Sequence, residues 1–592
     1  MAFLAGRGGS LLAGAAERAA GSVRARTAGV ERPERDVRRI VLFYTAEVHG
    51  TVEPCGCTSD PLGDVSRLAA LMADTRRELG GAGVALVDAG GLLYPEGGIS
   101  VREQPSADVR ADFMASQFVR LGLIGAGIGE TDLVRGTPHI RPPRLASNLE
   151  GAGPLLVRAP RVERVGDIDV GVLGVADPQV AETLAAAVHG QATDPVAAVK
   201  RDVARLRAAG AEVVVLLAPV DKVLARKLAR EAAPDLIVLG KRVGRGMSRL
   251  EQSGATFLVA PQDELQQVGR LEVVLRGRPR GGLDPAAGPG PSFELRDAGG
   301  PEADRLRLEE IARTRARLEA GLAEWAFPPA PAAGGKSAPP GGGPGPPGAD
   351  PRFVAQKKQE LVELTAEQKR MEVPWRPPAA GSYVVNALVP MRRSLRRDPT
   401  MVTSMKALDR RIAALNLRNA APPPVAEEGR AHFVGNAACA SCHASAETFW
   451  KKTVHAQAWK TLVDGGKQAD YKCVGCHVTG FGQVGGSSLG FTRKLESVQC
   501  ETCHGPGSLH VTGEGNEDPL AIRRDTPETV CLGCHTEQHS DTFQYVPYLR
   551  DIVGAGHGGA RRTALGPGVT GHELRTAALA RAKLAAAGPA DH

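Results

Sequence analysis

Eight of the chain's ten cysteines fall into one repeated pattern, Cys-x-x-Cys-His. It occurs as Cys439, Cys442, His443; Cys473, Cys476, His477; Cys500, Cys503, His504; and Cys531, Cys534, His535. With 14 histidines in 592 residues, the odds of one following all four pairs by chance are roughly 3 in ten million. Three chemistries compete for such cysteines. Structural zinc takes Cys pairs two at a time but gives no reason for a histidine directly behind each pair. A disulfide framework gives none either, and a Cys-x-x-Cys bridge is strained. Covalent c-type haem uses all the positions: two thiols add to the porphyrin vinyl groups and the adjacent imidazole becomes the proximal iron ligand. The expectation is four covalent haems. Their porphyrins would supply the apolar core of a segment poor in Phe, Leu and Ile.

Distal ligands are sought among the other histidines. Eleven of the fourteen lie from His432 onward. His455, His510, His539 and His557 are the distal candidates, with His432 a fifth.

The stretches "CASCHASAETFWKKTVHAQAWKTL", "CVGCHVTGFG", "VQCETCHGPGSLHV" and "CLGCHTEQHSDTF" resemble the nitrifier-type tetrahaem cytochrome c family over about 431–560. That resemblance implies proximal ligation by His443, His477, His504 and His535 and a second histidine on most irons. It also implies that one iron can lack a sixth protein ligand, and so offer a site to a small molecule.

The elements that must carry these residues read differently along the chain. Residues 39–277 alternate short β-branched runs ("IVLFYT", "VALVDAG", "VGVLGVA", "VVVLLAP", "LIVLG") with amphipathic stretches at Asp64–Leu79, Ala107–Leu121, Pro195–Ala209 and Lys222–Ala233. That is the pattern of an α/β layered domain. Residues 302–325 and 353–373 have helical period and mixed charge. They flank a Pro/Gly-rich linker at about 326–351 and either pair as a hairpin or dock separately. One more helical stretch is expected near Thr403–Leu417. The expected divisions are an N-terminal segment 1–36, an α/β domain 37–280, a helical connector 281–430, a mostly α and irregular haem domain 431–560 and a frayed helical tail 561–592.

"FYTAEVHGTVEPCGCTSDPLGDVSRLAAL" followed by "VALVDAGG" resembles the calcineurin-like metallophosphoesterases, the 5′-nucleotidase branch in particular. The resemblance implies a two-metal centre on loops at strand ends. This sequence keeps little of it. Glu47 replaces the first Asp and His49 is retained. Gly91 stands at the bridging Asp, Ile128 and Gly129 at the Asn-His pair, Pro219 near the lone His, and Lys241 and Val243 at the final pair. Only His49, His139 and His189 precede residue 432, too few for the implied ligand set. A divalent metal and hydrolase activity are therefore not expected here. The residual candidates are Glu47, His49, Cys55, Cys57 and Asp88. Cys55 and Cys57 are open to three readings: a labile redox pair, a soft-metal site with His49, or inert thiols in a tight Gly turn.

Net charge is a mild +7 with no dense basic stripe, so nucleic acid is not an expected partner. No apolar run reaches about 18 residues, so no integral span is expected. Haem attachment of this kind happens outside the bacterial inner membrane, which predicts a periplasmic or cell-surface protein with redox partners. The apolar stretch Leu11–Ala16 is short for a signal peptide. The reading is an exported tetrahaem electron carrier fused to a degenerate phosphoesterase-like domain used for docking or ligand binding. The alternatives are an oxidoreductase acting on a small nitrogen or sulfur compound at an open haem, and a bifunctional protein with residual phosphoesterase activity.

Overall fold

The structure, a computed structural model, describes residues 37–54, 57–81, 83–136, 144–151, 157–241, 246–247, 249–277, 293–325, 351–371, 375–515, 522–536 and 538–587. The N-terminal segment 1–36, the linker at 326–350, and Cys55, His139 and Val243 lie outside the described residues.

The main strands are β1 (Val37–Thr45), β2 (Val84–Asp88), β3 (Leu123–Ala126), β4 (Arg161–Val165), β5 (Ile168–Gly174), β6 (Val213–Ala218), β7 (Leu236–Leu239), β8 (Glu251–Ser253), β9 (Thr256–Val259), β10 (Gln267–Arg276), β11 (Leu295–Asp297) and β12 (Ser382–Pro390). They form two six-stranded mixed sheets, ordered β11-β12-β10-β1-β2-β3 and β8-β9-β7-β6-β5-β4. Alternation along β1 explains the layering. Ile40, Leu42 and Tyr44 face the second sheet, packing in one buried cluster with Val170, Val172, Val215 and Val238. Val41 and Phe43 point the other way, toward the helices. Strands buried on both faces read as continuous apolar runs, as these do.

Helices α1 (Val65–Glu78), α2 (Gln104–Leu121), α3 (Pro178–Val188), α4 (Pro195–Ala208), α5 (Lys222–Glu231), α6 (Pro301–Trp325), α7 (Pro351–Met371) and α8 (Pro399–Arg418) follow. Helices α1 and α2, with Met401 and Met405 of α8, cover the first sheet. Helices α4 and α5 cover the second. An Asp-Pro step starts α3, α4 and α8, with Asp177, Asp194 and Asp398 accepting a backbone N–H of the first turn. Each cap is worth about 1 kcal/mol, and proline at N1 loses no helical hydrogen bond.

The sequence reading of 281–430 as a helical connector needs correction. Strands β11 and β12 lie in it, and β12 pairs antiparallel with β10 from Gln267↔Pro390 to Val274↔Tyr383, so it is an inner strand of the first sheet. The open choice for the two charged helices resolves to a hairpin: Arg307 of α6 forms a bidentate pair with Glu367 of α7 at 2.6 and 2.7 Å.

From residue 436 the chain is built of short helices: α9 (Asn436–Ala440), α10 (Ala444–Trp450), α11 (Ala458–Gly465), α12 (Tyr471–His477), α13 (Cys500–His504), α14 (Ser508–Thr512), α15 (Glu528–Leu532), α16 (Tyr545–Ile552), α17 (Gly559–Leu565) and α18 (Gly571–Ala587). The tail is helical as expected but docked rather than frayed. Arg575 of α18 donates to the Thr58 carbonyl at 2.8 Å and pairs with Asp541 at 3.0 Å. Among the described residues no helix is long and apolar enough to cross a membrane.

Candidate functional site

A helical turn places residues i, i+3 and i+4 on one face, and each Cys-x-x-Cys-His motif uses it. Helices α12 and α13 contain their whole motifs, while α9 and α15 begin theirs. The His443 amide donates to the Cys439 carbonyl at 2.9 Å and the His535 amide to Cys531 at 2.8 Å, so even the shorter helices close the turn.

The imidazoles are oriented from behind. Nδ1 of His477 lies 2.5 Å from the Ala458 carbonyl, and Nδ1 of His504 lies 2.6 Å from that of Arg523. A carbonyl can only accept, so Nδ1 carries the proton and Nε2 presents a lone pair, the arrangement an imidazole ligand needs. Nδ1 of His535 is 3.0 Å from Ser540 Oγ, and its ring stacks on Phe543 at 4.8 Å.

Two of the four distal candidates meet a motif histidine ring to ring, and a third lies within electrostatic reach of one. His510 faces His443 with centroids 6.3 Å apart and rings 18° from parallel. His455 faces His535 at 6.2 Å. A bound imidazole nitrogen lies about 2 Å from its metal, with the ring centre about 1 Å beyond, so two imidazoles flanking one metal have centroids about 6 Å apart. The His557 ring meets Phe449 edge-on at 6.3 Å; burial first, then the His504 imidazole, pushes His557 below its ordinary value. Burial, followed by the His535 charge, pushes His455 down to about 4. Among the described residues no ring contact joins His539 to a motif histidine; its Nδ1 pairs with Thr536 Oγ1 at 2.7 Å. The fifth candidate, His432, has Nδ1 near the Arg430 carbonyl at 3.3 Å. Among the described residues no other imidazole makes a ring contact with His477.

The motifs are also tied to one another. Thiol contacts join Cys439 to Cys500 and Cys476 to Cys534, and Cys503 lies within electrostatic reach of Cys531. Sequence reasoning missed the clamp beneath the first pair. Buried Glu501, inside the third motif, accepts the amides of Val434 at 3.0 Å, Gly435 at 2.8 Å and Gly507 at 2.7 Å. Asn436 and Gln499 complete it: Asn436 Oδ1 accepts from Cys500 N at 3.1 Å, and Gln499 Oε1 from Asn436 N at 2.8 Å. A glutamate at a variable motif position carries no sequence signal of such a role.

In the α/β part, the loops after β1, β2 and β3 converge at the carboxyl ends of parallel strands, where open α/β sheets place their ligands. Glu47 and His49 adopt positive φ, 48° and 56°, and pair with each other at 2.7 Å. Burial raises the Glu47 carboxyl, partly offset by His49. Burial also opposes the His49 charge, but Glu47 holds that imidazole above its ordinary value. Asp88 and Asp132 lie behind them, fully buried, with the guanidinium of Arg144 between. Arg144 and Asp132 carried no sequence signal, since neither stands in the expected ligand pattern. Lys241, at the final-pair position, is committed to Asp177 at 2.7 Å. His189 caps α3 and Cys57 lies in the loop after β1. Among the described residues no group of three or more His, Cys, Asp or Glu is placed to hold a metal ion.

The α/β part and the motif region are joined directly. Arg110 of α2 pairs with Asp470 at 2.5 Å, next to the second motif. Lys467 bridges Glu53 and Asp409, each at 2.7 Å. Ser59 N donates to Asp541 at 3.0 Å, and Asn416 Nδ2 donates to the Ala469 carbonyl at 2.9 Å. A cavity of about 50 Å³ at this junction is lined by His49, Leu93, Arg110 and Lys472.

Comparison with known proteins places these features. The family profile described as cytochrome c554 and c-prime matches residues 438–505. Cytochrome c-554 of Nitrosomonas europaea is 40% identical over 159 residues, covering 21% of this chain and 67% of that protein. The α/β part is similar to a 5′-nucleotidase precursor of Thermus thermophilus, at 20% identity and TM-score 0.33, over 40% of this chain and 52% of the other. It is also similar to the calcineurin-like phosphoesterase YfkN of Bacillus subtilis, at 16% identity and TM-score 0.33, over 40% of this chain and 86% of that one. The chain thus spans about half the length of the nucleotidase it matches.

Proposed function

The chain belongs, through its C-terminal region, to the cytochrome c-554 family, and from that premise we propose that it is an exported tetrahaem c-type cytochrome that relays electrons. Family membership implies covalent c-type haem. The finer reading assigns four: thioethers at Cys439/Cys442, Cys473/Cys476, Cys500/Cys503 and Cys531/Cys534, with His443, His477, His504 and His535 as proximal ligands. The single observation that carries it is the histidine pairing, His443 with His510 and His535 with His455, at the separation one shared iron requires. His557 would serve His504.

Haem supplies the one-electron chemistry. This chain's residues do the rest: they fix the imidazoles of His477, His504 and His535 by an Nδ1 hydrogen bond and hold neighbouring motifs close together. The two thiol contacts, with Cys503 in electrostatic reach of Cys531, support the order first, third, fourth, second. Electrons would pass along that order between redox partner proteins in the periplasm or at the cell surface. The α/β part would hold the second-motif end through Arg110, Lys467 and Asn416.

Replacing His510 by Ala tests the pairing. One haem should change from low-spin to high-spin in the electron paramagnetic resonance spectrum while the haem count stays at four. An unchanged spectrum would contradict the assignment.

A second reading is favoured by one observation. His477, alone among the motif histidines, has neither the ring contact of His443 and His535 nor the electrostatic partner of His504 among the described residues. An open iron there would bind a small nitrogen or sulfur compound. Reduced protein exposed to carbon monoxide should then bind one equivalent; no binding at all would remove this reading.

A further inference from the structure

We propose that the guanidinium of Arg144 is the resident cation of the α/β domain, and that the loops expected to hold a metal pair have closed on each other into a metal-free seat for the haem region. The inference deepens the docking role proposed above and rests on it only for the purpose of the seat, not for the identity of the cation.

Two metals need a pocket ringed by side-chain oxygen and nitrogen atoms. Here backbone fills it. A Cβ on Gly91 would lie 2.8 Å from the Glu47 carboxylate. One on Gly129 would lie 2.3 Å from Gly91 N, and one on Gly90 would lie 2.7 Å from Gly129 N. Gly90 and Gly91 have φ of 120° and 74°, which any other residue adopts only with strain. Glu47 N bonds the Gly90 carbonyl and His49 N the Gly91 carbonyl, both at 2.8 Å, which laces the first loop to the second. No carboxylate or imidazole side chain fits at position 129 without parting these loops, and one at position 91 would displace the Glu47 carboxylate at a strained φ of 74°.

The acids that remain are already used. Asp132 accepts from Gly91 N at 2.9 Å, Gly129 N at 3.0 Å, Leu93 N at 3.1 Å and Arg144 Nη2 at 3.0 Å. Asp88 accepts from Thr45 Oγ1 at 2.7 Å and Gly90 N at 3.0 Å, with Arg144 Nη1 at 3.8 Å. Arg144 Nη1 also donates to the Gly127 carbonyl at 3.0 Å. Arg144, Asp88 and Asp132 are all wholly buried. One guanidinium thus joins two of the loops: it bonds the Gly127 carbonyl after β3 and pairs with two carboxylates that hold the loop after β2. A buried charge is stable only when paired and hydrogen-bonded, so the trio stands or falls together.

The test uses the full-length haem protein. Elemental analysis after gel filtration should find iron matching the haem count and no stoichiometric manganese or zinc, and millimolar Mn²⁺ should leave the calorimetric melting temperature unchanged. Arg144→Ala should lower melting by roughly 6–12 °C. Millimolar guanidinium chloride should restore part of that loss in the variant and leave the wild type unchanged. Two tightly held divalent ions in the wild type, or a melting temperature indifferent to Arg144→Ala, would overturn the proposal. Should the alanine variant fail to accumulate, Arg144→Lys should melt between wild type and the expected alanine value, and lysine matching wild type would count against the fork of contacts described. Haem content is read in the same samples. Its loss would sink the electron-transfer reading while leaving the cation assignment standing.

Discussion

Single residues carry both halves of the account, and they differ in how visible they are. The Cys-x-x-Cys-His motifs were legible because covalent haem attachment demands fixed residue types at fixed spacing. Their partners His455, His510 and His557 were legible only as a set of candidates. Pairing is a long-range property that spacing does not encode, so the sequence offers His539 on the same footing as the others. Asp88 shows what burial does to one acid. Desolvation, only partly offset by Arg144, raises its carboxyl to about 7. The folded state therefore binds its proton more tightly than the unfolded chain does. The resulting stability is fully present below about pH 4 and is lost as pH rises through 7. At about 1.4 kcal/mol per unit, the loss is up to roughly 4 kcal/mol. Asp88→Asn should flatten this part of the pH–stability profile in chemical denaturation. A profile with the same slope in the variant would assign the pH dependence to another group.

Among the elements, strands and helices of the α/β part followed from apolar periodicity, since β-branched runs bounded by Gly, Pro and Asp leave few alternatives. Strand β12 escaped because it is flanked by Pro- and Arg-rich stretches and draws its stability from pairing with β10, more than a hundred residues earlier. The docked tail escaped for a similar reason: α18 is held by Arg575 reaching Thr58 and Asp541, contacts its own composition does not announce. In the motif region the deciding element is α13, which is clamped to the segment before α9. Glu501 accepts amides from both the segment before α9 and the loop after α13. A glutamine there keeps the size but offers one acceptor oxygen instead of two, leaving buried amides unpaired. Glu501→Gln should cost roughly 2–4 kcal/mol, read as a lower denaturation midpoint at unchanged haem stoichiometry. A variant as stable as wild type would mean the clamp is incidental.

At the scale of the whole molecule, the two parts meet at a polar, specific junction whose central pair is shielded from water. Arg110 and Asp470 are 11% and 13% exposed. That burial separates the pair from ordinary surface ion pairs, which contribute little. In a double-mutant cycle, Arg110→Ala and Asp470→Ala should show a coupling of about 1–3 kcal/mol in unfolding free energy. Additive effects would mean that the α/β part and the second-motif end are merely tethered. Such coupling is invisible to a reading of either segment alone, as is the closing of the loops around Arg144. The close approach of Gly90 and Gly91 to Gly129 carries no signal in the sequence of any one loop.

The central claim is that four iron porphyrins are bonded to this chain through its eight C-terminal cysteines. Intact mass spectrometry of the denatured protein, run beside a pyridine haemochrome assay, measures that directly. The account predicts a polypeptide heavier by four haems, in one species, with four haems per chain by absorbance. A mass equal to that of the bare polypeptide, or haem that leaves on denaturation, would contradict it.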